Sequence, residues 1–543
     1  MIPEEFLKAV ASKQGVSEAE LGVLSLVVQR HPIPDIAKKL GISQDLVRKR
    51  LSDMYKKFET PGRGPVKRGN LEQQLRDLYE AQQQQQPRPA PAIPQSQISP
   101  ERRRDWGEAP DVSIFYGRTA ELNNLEKWIV KEGCRVAAIL GMGGMGKTSL
   151  SVKLAKEIEA NFDWVIWRSL RQAPSVKEIL ASILQFLSPN MTAYLPEDVG
   201  ESISQLIDLL KARRCLLVLD SAEAILQPGE LAGRYAEEHQ DYEELIERVA
   251  TEPHQSCLVI TSLEQIETIA LLEGKTLPVR ALHLPDLQDR DAWEIFRAKG
   301  LLDEQSWPEL TKLYGGNPLV LKIVATTIKE LFGGRVVEFL KHKSFVFGNI
   351  IGLLDLQFHR LSDFEREILY WLAIEGQPVS YLTLQNNLAN SLSETGLIEA
   401  LESLRRRALI ERSTETEEIT RFGLQPVVME YITGQLISQV GKEIVNIWKT
   451  QKIDSAVLLR SHALVKASPS DTDAQSLQKD RIMTSILERL RKAFRSPQKV
   501  RERLQKIIAL MEGQPEYDIG YTKRNFEDLV ASLQANINGF GIG

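Results

Sequence analysis

The chain has 543 residues, 43% hydrophobic and 26% charged, with a formal net charge of −5. Single cores stop growing near about 250–300 residues, so this length implies several domains, and the charge balance excludes wholesale nucleic-acid coating. No run approaches the roughly 18 apolar residues of a membrane span, and Met1-Ile2-Pro3-Glu4-Glu5 lacks the basic and apolar regions of a secretion signal, so a cytoplasmic location without membrane contact is expected. Cys134, Cys215 and Cys257 lie far apart, each beside a predicted strand, and read as buried free thiols rather than metal ligands.

Ser17-Glu18-Ala19-Glu20 is a capping-box pattern, so a helix starts there and turns Leu21, Leu24, Val27 and Val28 inward. A second helix is expected from Pro34 to Leu40, since proline is tolerated in a first turn, and Gly41-Ile42-Ser43 turns into a third. Capped by Ser43, that helix buries Leu46, Val47, Leu51, Met54, Tyr55 and Phe58 and presents Arg48, Lys49, Arg50, Lys56 and Lys57. Residues 36–70 hold ten Lys/Arg against three Asp/Glu, a strongly basic stretch in an acidic chain. Residues 1–70 therefore read as a small all-α helix-turn-helix.

The stretch from Ser17 to about Thr60 resembles the LuxR-type DNA-binding module. The matching words are Glu18-Ala19-Glu20, Asp35-Ile36-Ala37-Lys38-Lys39-Leu40, Ile42-Ser43 and Leu46-Val47-Arg48-Lys49-Arg50-Leu51, leading to Tyr55-Lys56-Lys57-Phe58. The resemblance implies DNA contact through Arg48, Lys49 and Arg50; a solvated basic face on a protein-binding adaptor is the other reading, and both stay open.

Gln82 to Gln86 is an unbroken glutamine run, followed by Pro87, Pro89, Pro91, Pro94 and Pro100, a composition that cannot pack a core. Residues 71–110 are read as a Gln/Pro-rich linker, entered by a helix from Asn70 to about Ala81. Ile114-Phe115-Tyr116-Gly117-Arg118 then leads into a helix from Ala120 to Val130.

The strongest motif follows. Val136 to Leu140 is an apolar strand, Gly141-Met142-Gly143-Gly144-Met145-Gly146 a glycine-rich turn, and Lys147-Thr148-Ser149 the start of a helix. Gly141, Gly146, Lys147 and Thr148 match G-x-x-x-x-G-K-[ST], the Walker A phosphate loop. Its glycines aim successive N–H groups at a polyphosphate, Lys147 would reach the β/γ-phosphates, and the Thr148 hydroxyl would sit on Mg²⁺. Further strands at 162–168, 215–220, 257–261 and 279–284, with amphipathic helices at 176–187 and 202–212 between them, predict a parallel sheet covered on both faces over 111–284. Gly141, Asp220 and Thr261 fall at carboxyl ends of strands, where such sheets bind ligands. Asp220 reads as the Walker B acid that holds Mg²⁺; Glu223 either orients the attacking water or caps the next turn.

After Leu284 the pattern is helical: 287–301, 307–313, and a long helix opened by Gly315-Gly316-Asn317-Pro318-Leu319. Ser362-Asp363-Phe364-Glu365 is a second capping box. A helix ending in Leu404-Arg405-Arg406-Arg407 leads to a hairpin, Ala408 to Glu411 and Ile419 to Phe422, which describes a winged helix. Arg405 to Arg407 could touch DNA, but a solvated helix end suits a module adjoining a nucleotide domain. Beyond Lys442 helices are expected at 456–466 and 481–494, with Arg491, Lys492, Arg495, Lys499, Arg501 and Arg503 as a solvated face. No 20–50-residue period suggests a repeat sensor.

In this order the motifs resemble the NB-ARC branch of the STAND signalling ATPases, over about Ile114 to Leu436, in a layout similar to cyanobacterial multidomain proteins. Tyr116-Gly117-Arg118 looks like the hydrophobic-Gly-Arg motif beside the adenine, Gly141 to Thr148 the Walker A, Leu216 to Asp220 the Walker B, and Gly316-Asn317-Pro318-Leu319 the G-x-P-L motif whose proline packs on the base. The implied fold is multidomain α/β plus α: the parallel-sheet P-loop domain (111–284), a small helical domain (285–345), a winged-helix domain (346–440) and a helical C-terminal region (441–543). The implied function is an ADP/ATP switch with Mg²⁺, clamped on ADP at rest and oligomerising with ATP, with residues 1–70 as a DNA- or partner-binding output. The implied nucleotide ligands are Arg118, Gly141, Gly143, Gly144, Gly146, Lys147, Thr148, Ser149, Pro318 and Gln425, with Thr148 and Asp220 on the metal and Asp220 and Glu223 catalytic.

Three positions depart from that family pattern. Ser221 stands where a second acid or Asn is usual, Leu263 where sensor 1 carries Arg, and Leu424-Gln425-Pro426 where Met-His-Asp is usual. A leucine withholds a charge-assisted contact of roughly 1.5–3 kcal/mol, so at most a slow ATPase is expected. The alternative functions are a non-hydrolysing ADP-bound scaffold or adaptor and a DNA-binding transcription regulator; a metabolic P-loop kinase leaves the helical modules without a role. In a mobility-shift titration, residues 1–70 are expected to retard duplex DNA at low salt and to lose it steeply as salt rises. Absence of any shift at low salt leaves the adaptor reading.

Overall fold

The computed structural model describes residues 7–8, 10–11, 14–28, 31–58, 60, 67–68, 70–71, 74–75, 103–187, 198–342, 344–388, 394–414, 420–465 and 479–539. Contacts divide the chain into two units, residues 1–98 and 99–543.

In the first unit, α1 (Glu18–Val28), α2 (Ile33–Leu40) and α3 (Gln44–Lys57) surround a core of Val23, Leu24, Val27, Ile36, Val47, Leu51 and Met54. Ser17 and Glu20 exchange the reciprocal bonds of a capping box, and Ser43 caps α3 by accepting from Leu46 N. Leu46, expected inside, is 37% exposed: it lies one residue off the buried Val47–Leu51–Met54 stripe and faces outward. Arg48 and Lys49 are exposed, whereas Arg50 is half-buried and donates to the Ala19 carbonyl at 3.1 Å. Lys57 is paired with Glu20 rather than free. Of the helix expected over 70–81, residues 70, 71, 74 and 75 are helical; the rest, with the glutamine and proline runs, lies outside the described residues.

The second unit is built on a six-stranded parallel sheet of order β1-β3-β4-β5-β2-β6. Its strands are β1 (Arg103–Asp105), β2 (Val136–Leu140), β3 (Trp164–Ser169), β4 (Cys215–Asp220), β5 (Cys257–Ser262) and β6 (Val279–His283). Alternate residues divide between two cores. Ala137, Ile139, Val165, Trp167, Leu216, Val218 and Val259 enter one; Val136, Ala138, Leu140, Ile166, Leu217, Leu219 and Ile260 enter the other. Both faces are thus covered, which is why the strands read as unbroken apolar runs. The first core takes in α4 (Thr119–Glu126) and α5 (Lys147–Ile158); the second takes in α6 (Val176–Leu187), α7 (Val199–Ala212) and α8 (Asp241–Thr251). The short helix α9 (Glu267–Leu272) precedes β6. Cys134, Cys215 and Cys257 are buried free thiols.

The edge strand β1 corrects the linker reading of 71–110. Arg103, Arg104 and Asp105 carry no apolar signal, yet they pair with Trp164, Val165 and Ile166. Arg104 also donates to the Asp163, Glu159 and Phe162 carbonyls, and Asp105 pairs with Arg168. A polar edge strand held by main-chain and ionic bonds leaves no hydrophobic period to read.

The helices α10 (Asp289–Lys299), α11 (Trp307–Leu313), α12 (Pro318–Leu331) and α13 (Val336–Leu340) follow the sheet. They lead to α14 (Gly348–Phe358), α15 (Asp363–Glu375), α16 (Tyr381–Asn387) and α17 (Glu394–Arg406), beside a three-stranded antiparallel sheet. Its strands are β7 (Val379–Ser380), β8 (Glu411–Thr414) and β9 (Thr420–Gly423) in the order β7-β9-β8. The first hairpin strand begins at Glu411 rather than Ala408, whose φ of +55° ends α17 instead; residues 415–419 lie outside the described residues.

Two further readings change. The boundary expected at 440/441 falls inside α18 (Pro426–Thr450), because Val440, Ile444 and Ile447 extend the same buried stripe. The helix expected at 456–466 shortens to α19 (Leu458–Ser461), whose first turn is capped by the Glu443 carboxylate through the Leu458 and Leu459 N–H groups. The C-terminal helices α20 (Thr484–Phe494), α21 (Pro497–Leu510), α22 (Glu516–Ile519) and α23 (Thr522–Gly539) share the same core. Arg503, expected to be solvated, stands over the Trp448 and Phe494 rings. No helix among the described residues is long and apolar enough to cross a membrane.

Arg407 is the largest departure. Read as a solvated helix end, it is 4% exposed and pairs with both Glu264 (2.8 Å) and Glu365 (3.1 Å). Arg360 closes the network on Glu264 at 2.6 Å. Charges this deep persist only as mutual partners, which tie the end of β5 to α14, α15 and α17.

His462 follows α19, buried, stacked on Trp371 at 4.9 Å and edge-on to Tyr370. Burial pulls its imidazole down to about 4. The folded state therefore binds fewer protons than the unfolded chain between the free value near 6.5 and about 4, and stability falls as pH falls through that window. Relative to His462→Gln, wild type is expected to lose about 1.4 kcal/mol per pH unit between pH 6.5 and 4, read from urea unfolding curves.

Candidate functional site

β5 and β6 flank β2, so the turn from Gly141 to Gly146 emerges at the sheet's carboxyl edge between two neighbouring strands. Gly146 caps α5 at φ +90°, and no side chain caps that helix start. Its first N–H groups are thus available to an anionic ligand. Lys147 folds back over the loop, Nζ donating to the Gly141 and Met142 carbonyls at 2.8 and 3.0 Å. Desolvation pulls its ammonium down to about 8, against the opposing charges of Glu223 and Asp220.

Asp220 ends β4 fully buried. Thr261 Oγ1 donates to its Oδ1 at 2.7 Å, and Ser221 Oγ to its Oδ2 at 3.1 Å. The Ser221 N–H returns to Thr261 Oγ1 at 2.9 Å, so β4 and β5 hold the acid between them. Ser221 adopts φ +65°, which turns the chain sharply away from the strand. Glu223 follows in a short 3₁₀ turn, Ala222–Ile225, and its carboxylate accepts the Leu263 N–H at 3.1 Å. Burial pushes that carboxyl up from its ordinary value. Leu263 itself packs toward Gly143 together with Leu353 of α14.

A cleft of about 340 Å³ opens over this loop. One end is apolar, lined by Ile114, Phe115, Tyr116, Leu287, Pro318 and Leu319; the other is polar, lined by Lys147, Thr148, Ser149 and Arg171. Lys322 stands over the Tyr116 ring at 5.7 Å on the apolar side. A flat apolar end beside a cationic one matches a molecule with an aromatic base and a polyphosphate.

The helical segment grips the loop directly. Asn317 Nδ2 donates to the Gly143 carbonyl at 2.9 Å, while its Oδ1 caps α12 by accepting from Leu319 N and Val320 N. Leu319 N also donates to the Gly144 carbonyl at 3.2 Å. Gly144, at φ +84°, has room for no side chain: a Cβ there would lie 2.7 Å from Asn317 Oδ1 and 2.8 Å from Leu319 Cβ. Gly316, at φ +57°, is equally confined by the Leu287 backbone.

Of the residues singled out from sequence, Arg118, Gly144, Gly146, Lys147, Thr148, Ser149 and Pro318 line this cleft. Gly141 and Gly143 lie in the loop beneath, and Asp220 and Glu223 lie close enough to Lys147 to act on its charge. Arg118 is committed elsewhere: its guanidinium donates to Pro285 O at 2.6 Å, Glu121 at 3.1 Å and Met145 O at 3.3 Å, bracing the loop. Gln425 is not brought to the cleft. It precedes α18 with its amide toward Asp286 at 3.5 Å, so its expected phosphate contact does not arise in this arrangement. Burial raises Asp286 to about 6.

Arg171 and Lys322 escaped the sequence reading. Arg171 lies just beyond the carboxyl end of β3, the edge at which Asp220 was found, so the same rule applied to basic residues would have flagged it. Lys322 carries no such signal.

Among the described residues no cluster of three or more His, Cys, Asp or Glu could hold a metal ion. A Mg²⁺ ion bound through Thr148 and Asp220 would need only those two groups, with phosphate oxygens and water completing its shell. The Asp220 carboxylate, held in place by the Thr261 and Ser221 hydroxyls, is the hard anionic oxygen ligand that role needs.

Residues 118–223 match the NB-ARC domain model. The chain is 39% identical, over 80% of its length, to an uncharacterized WD repeat-containing protein of Nostoc sp., of which it spans 37%. It is 25% identical, over 40% of its length, to a disease resistance protein of Solanum bulbocastanum, of which it spans 22%. Among solved structures, a STAND protein with a tetratricopeptide repeat sensor from Pyrococcus horikoshii superposes at TM-score 0.31 and 15% identity, over 79% of this chain and 66% of that one. Cdc6p from Pyrobaculum aerophilum superposes at TM-score 0.30 and 17% identity, over 60% and 96%. Both are loose superpositions.

The double role of Asn317 separates by substitution. Asn317→Ala removes cap and tether and is expected to cost about 1–2 kcal/mol in urea unfolding. Asn317→Asp keeps the cap but sets a carboxylate against the Gly143 carbonyl, so it is expected to weaken nucleotide binding at a smaller cost in stability.

Proposed function

We propose that the chain is a nucleotide-dependent signalling switch that holds ADP when closed and, on exchange for ATP, releases its helical modules and assembles with further copies of itself. One observation carries this reading: Asn317 and Leu319, which open α12, bond directly to the phosphate-loop carbonyls of Gly143 and Gly144. Any adjustment of that loop around an added phosphate is felt by α12 and, through Leu353 against Gly143, by α14. The NB-ARC match over 118–223 supports nucleotide as the ligand.

In this reading the base lies between Tyr116 and Pro318, and the N–H groups of Gly144 to Ser149 receive the phosphates. Lys147 balances their charge, Thr148 and Asp220 hold Mg²⁺, and Glu223, its carboxyl pushed up by burial, orients a water. The segment from Gly348 to Gly423 acts as a winged helix, and α2 and α3 act as a helix-turn-helix that meets DNA or a protein partner. With Arg50 turned to Ala19, Arg48 and Lys49 are the side chains best presented.

A second reading, a non-hydrolysing ADP-bound scaffold, is favoured by one detail: Leu263 presents an apolar side chain beside Gly143, and Glu223 is engaged by the Leu263 N–H. One experiment separates these. Denaturing the purified protein is expected to release ADP, and Lys147→Ala to release none. When stripped protein is loaded with ATP for a single turnover, ADP in the released fraction supports the switch and intact ATP the scaffold. Wild type that releases nothing and takes up neither nucleotide defeats both.

A further inference from the structure

Arg171 lies two residues past the end of β3, where pairing sets Ser169 beside Asp220. Its Nη2 is 3.7 Å from Asp220 Oδ2, and its Nε donates to Ser221 Oγ at 3.3 Å. The two partners differ sharply: the Asp220 side chain is completely buried, whereas 66% of the Arg171 side chain is exposed. A cation on a solvent-facing turn thus reaches in to a buried carboxylate. The same side chain lines the polar end of the cleft with Lys147 and Thr148.

The other cations on that lining are placed differently. Arg118 spends its donors on Glu121 and on two main-chain carbonyls, and Lys322 stands over the Tyr116 ring at the apolar end. Lys147 belongs to the loop itself. Leu263, at the end of β5, brings no charge. Arg171 alone among these combines a position at the polyphosphate end with a long ion pair, 3.7 Å, made from a mostly exposed side chain that can swing away.

We infer that Arg171 is a terminal-phosphate ligand: it leaves Asp220 when Mg²⁺ takes that carboxylate and bonds the third phosphate of a nucleoside triphosphate. This rests on the reading that the cleft holds a Mg²⁺-nucleotide. Were Asp220 to hold a divalent ion, the Arg171 guanidinium beside it would meet like charge and would leave its present partner. The planar fork of an arginine matches two phosphate oxygens at once, a geometry that neither Lys147 nor any leucine offers. A diphosphate leaves the displaced side chain in solvent; a triphosphate gives it an anionic partner. Arg171 thereby makes affinity depend on the third phosphate.

The test uses the full chain, stripped of nucleotide, with MgATP and MgADP affinities measured by calorimetry for wild type, Arg171→Ala and Arg171→Lys. Arg171→Ala is expected to weaken MgATP about tenfold to hundredfold and to leave MgADP within about threefold, the size of one lost charge-assisted contact. Arg171→Lys is expected to recover part of the loss, since it restores the charge without the fork. The side chain is exposed, so unchanged unfolding midpoints are expected. Equal weakening of both nucleotides, or of neither, overturns the inference while leaving the nucleotide site intact. Wild type that binds neither nucleotide overturns the site and the inference together.

Discussion

Five successive carbonyls of the phosphate loop are all bonded from the protein side. Lys147 takes those of Gly141 and Met142, Asn317 that of Gly143, the Leu319 N–H that of Gly144, and Arg118 that of Met145. A peptide unit is planar and trans, so fixing each C=O inward turns the N–H of the next residue the opposite way. Where the carbonyls are held thus sets the direction of the loop's N–H groups, of which that of Met145 returns to the Met142 carbonyl. Two of the five tethers come from the opening of α12, beyond the sheet. The loop's shape is thus shared property of the nucleotide-binding sheet and the helices that follow it.

Charge is arranged on the same principle of shared holding. Asp220 is held in its buried position by hydroxyl donors at the ends of β4 and β5 and by the distant reach of Arg171. One residue past Leu263, Glu264 begins a second buried network with Arg360 and Arg407, and Arg407 carries it on to Glu365. Burial makes each member costly without its partners, so the segments contributing them are bound to move together or part together. One strand joins the two: Thr261 of β5 holds Asp220, and Glu264 lies just beyond the same strand, with Leu263 between them.

What could be read from sequence was what local spacing encodes. Gly141 to Thr148 and the apolar runs ending in Asp220 and Thr261 are short-range patterns, and the sheet that carries them follows from period and length. Ser17 with Glu20 and Ser362 with Glu365 likewise announce their helix starts within four residues. Arg407, Gln425 and β1 went otherwise because their environments come from residues far along the chain: Glu264 for Arg407, Asp286 for Gln425, Trp164 to Ile166 for β1. A triple arginine looks solvated until a distant carboxylate is folded against its last member. Arg171 lay at a legible place, the carboxyl edge of the sheet, but its partner across the strands was not.

The helix α18 begins at Pro426, just past Gln425 and its Asp286 contact, and runs unbroken for 25 residues into the C-terminal core. At 1.5 Å per residue it is a rod of about 37 Å, and a tilt of about 5° at its start displaces its far end by about 3 Å. A small shift where Gln425 meets Asp286 thus has a mechanical amplifier already in place. The C-terminal helices packed on that rod travel with it, as a load on the end of a lever.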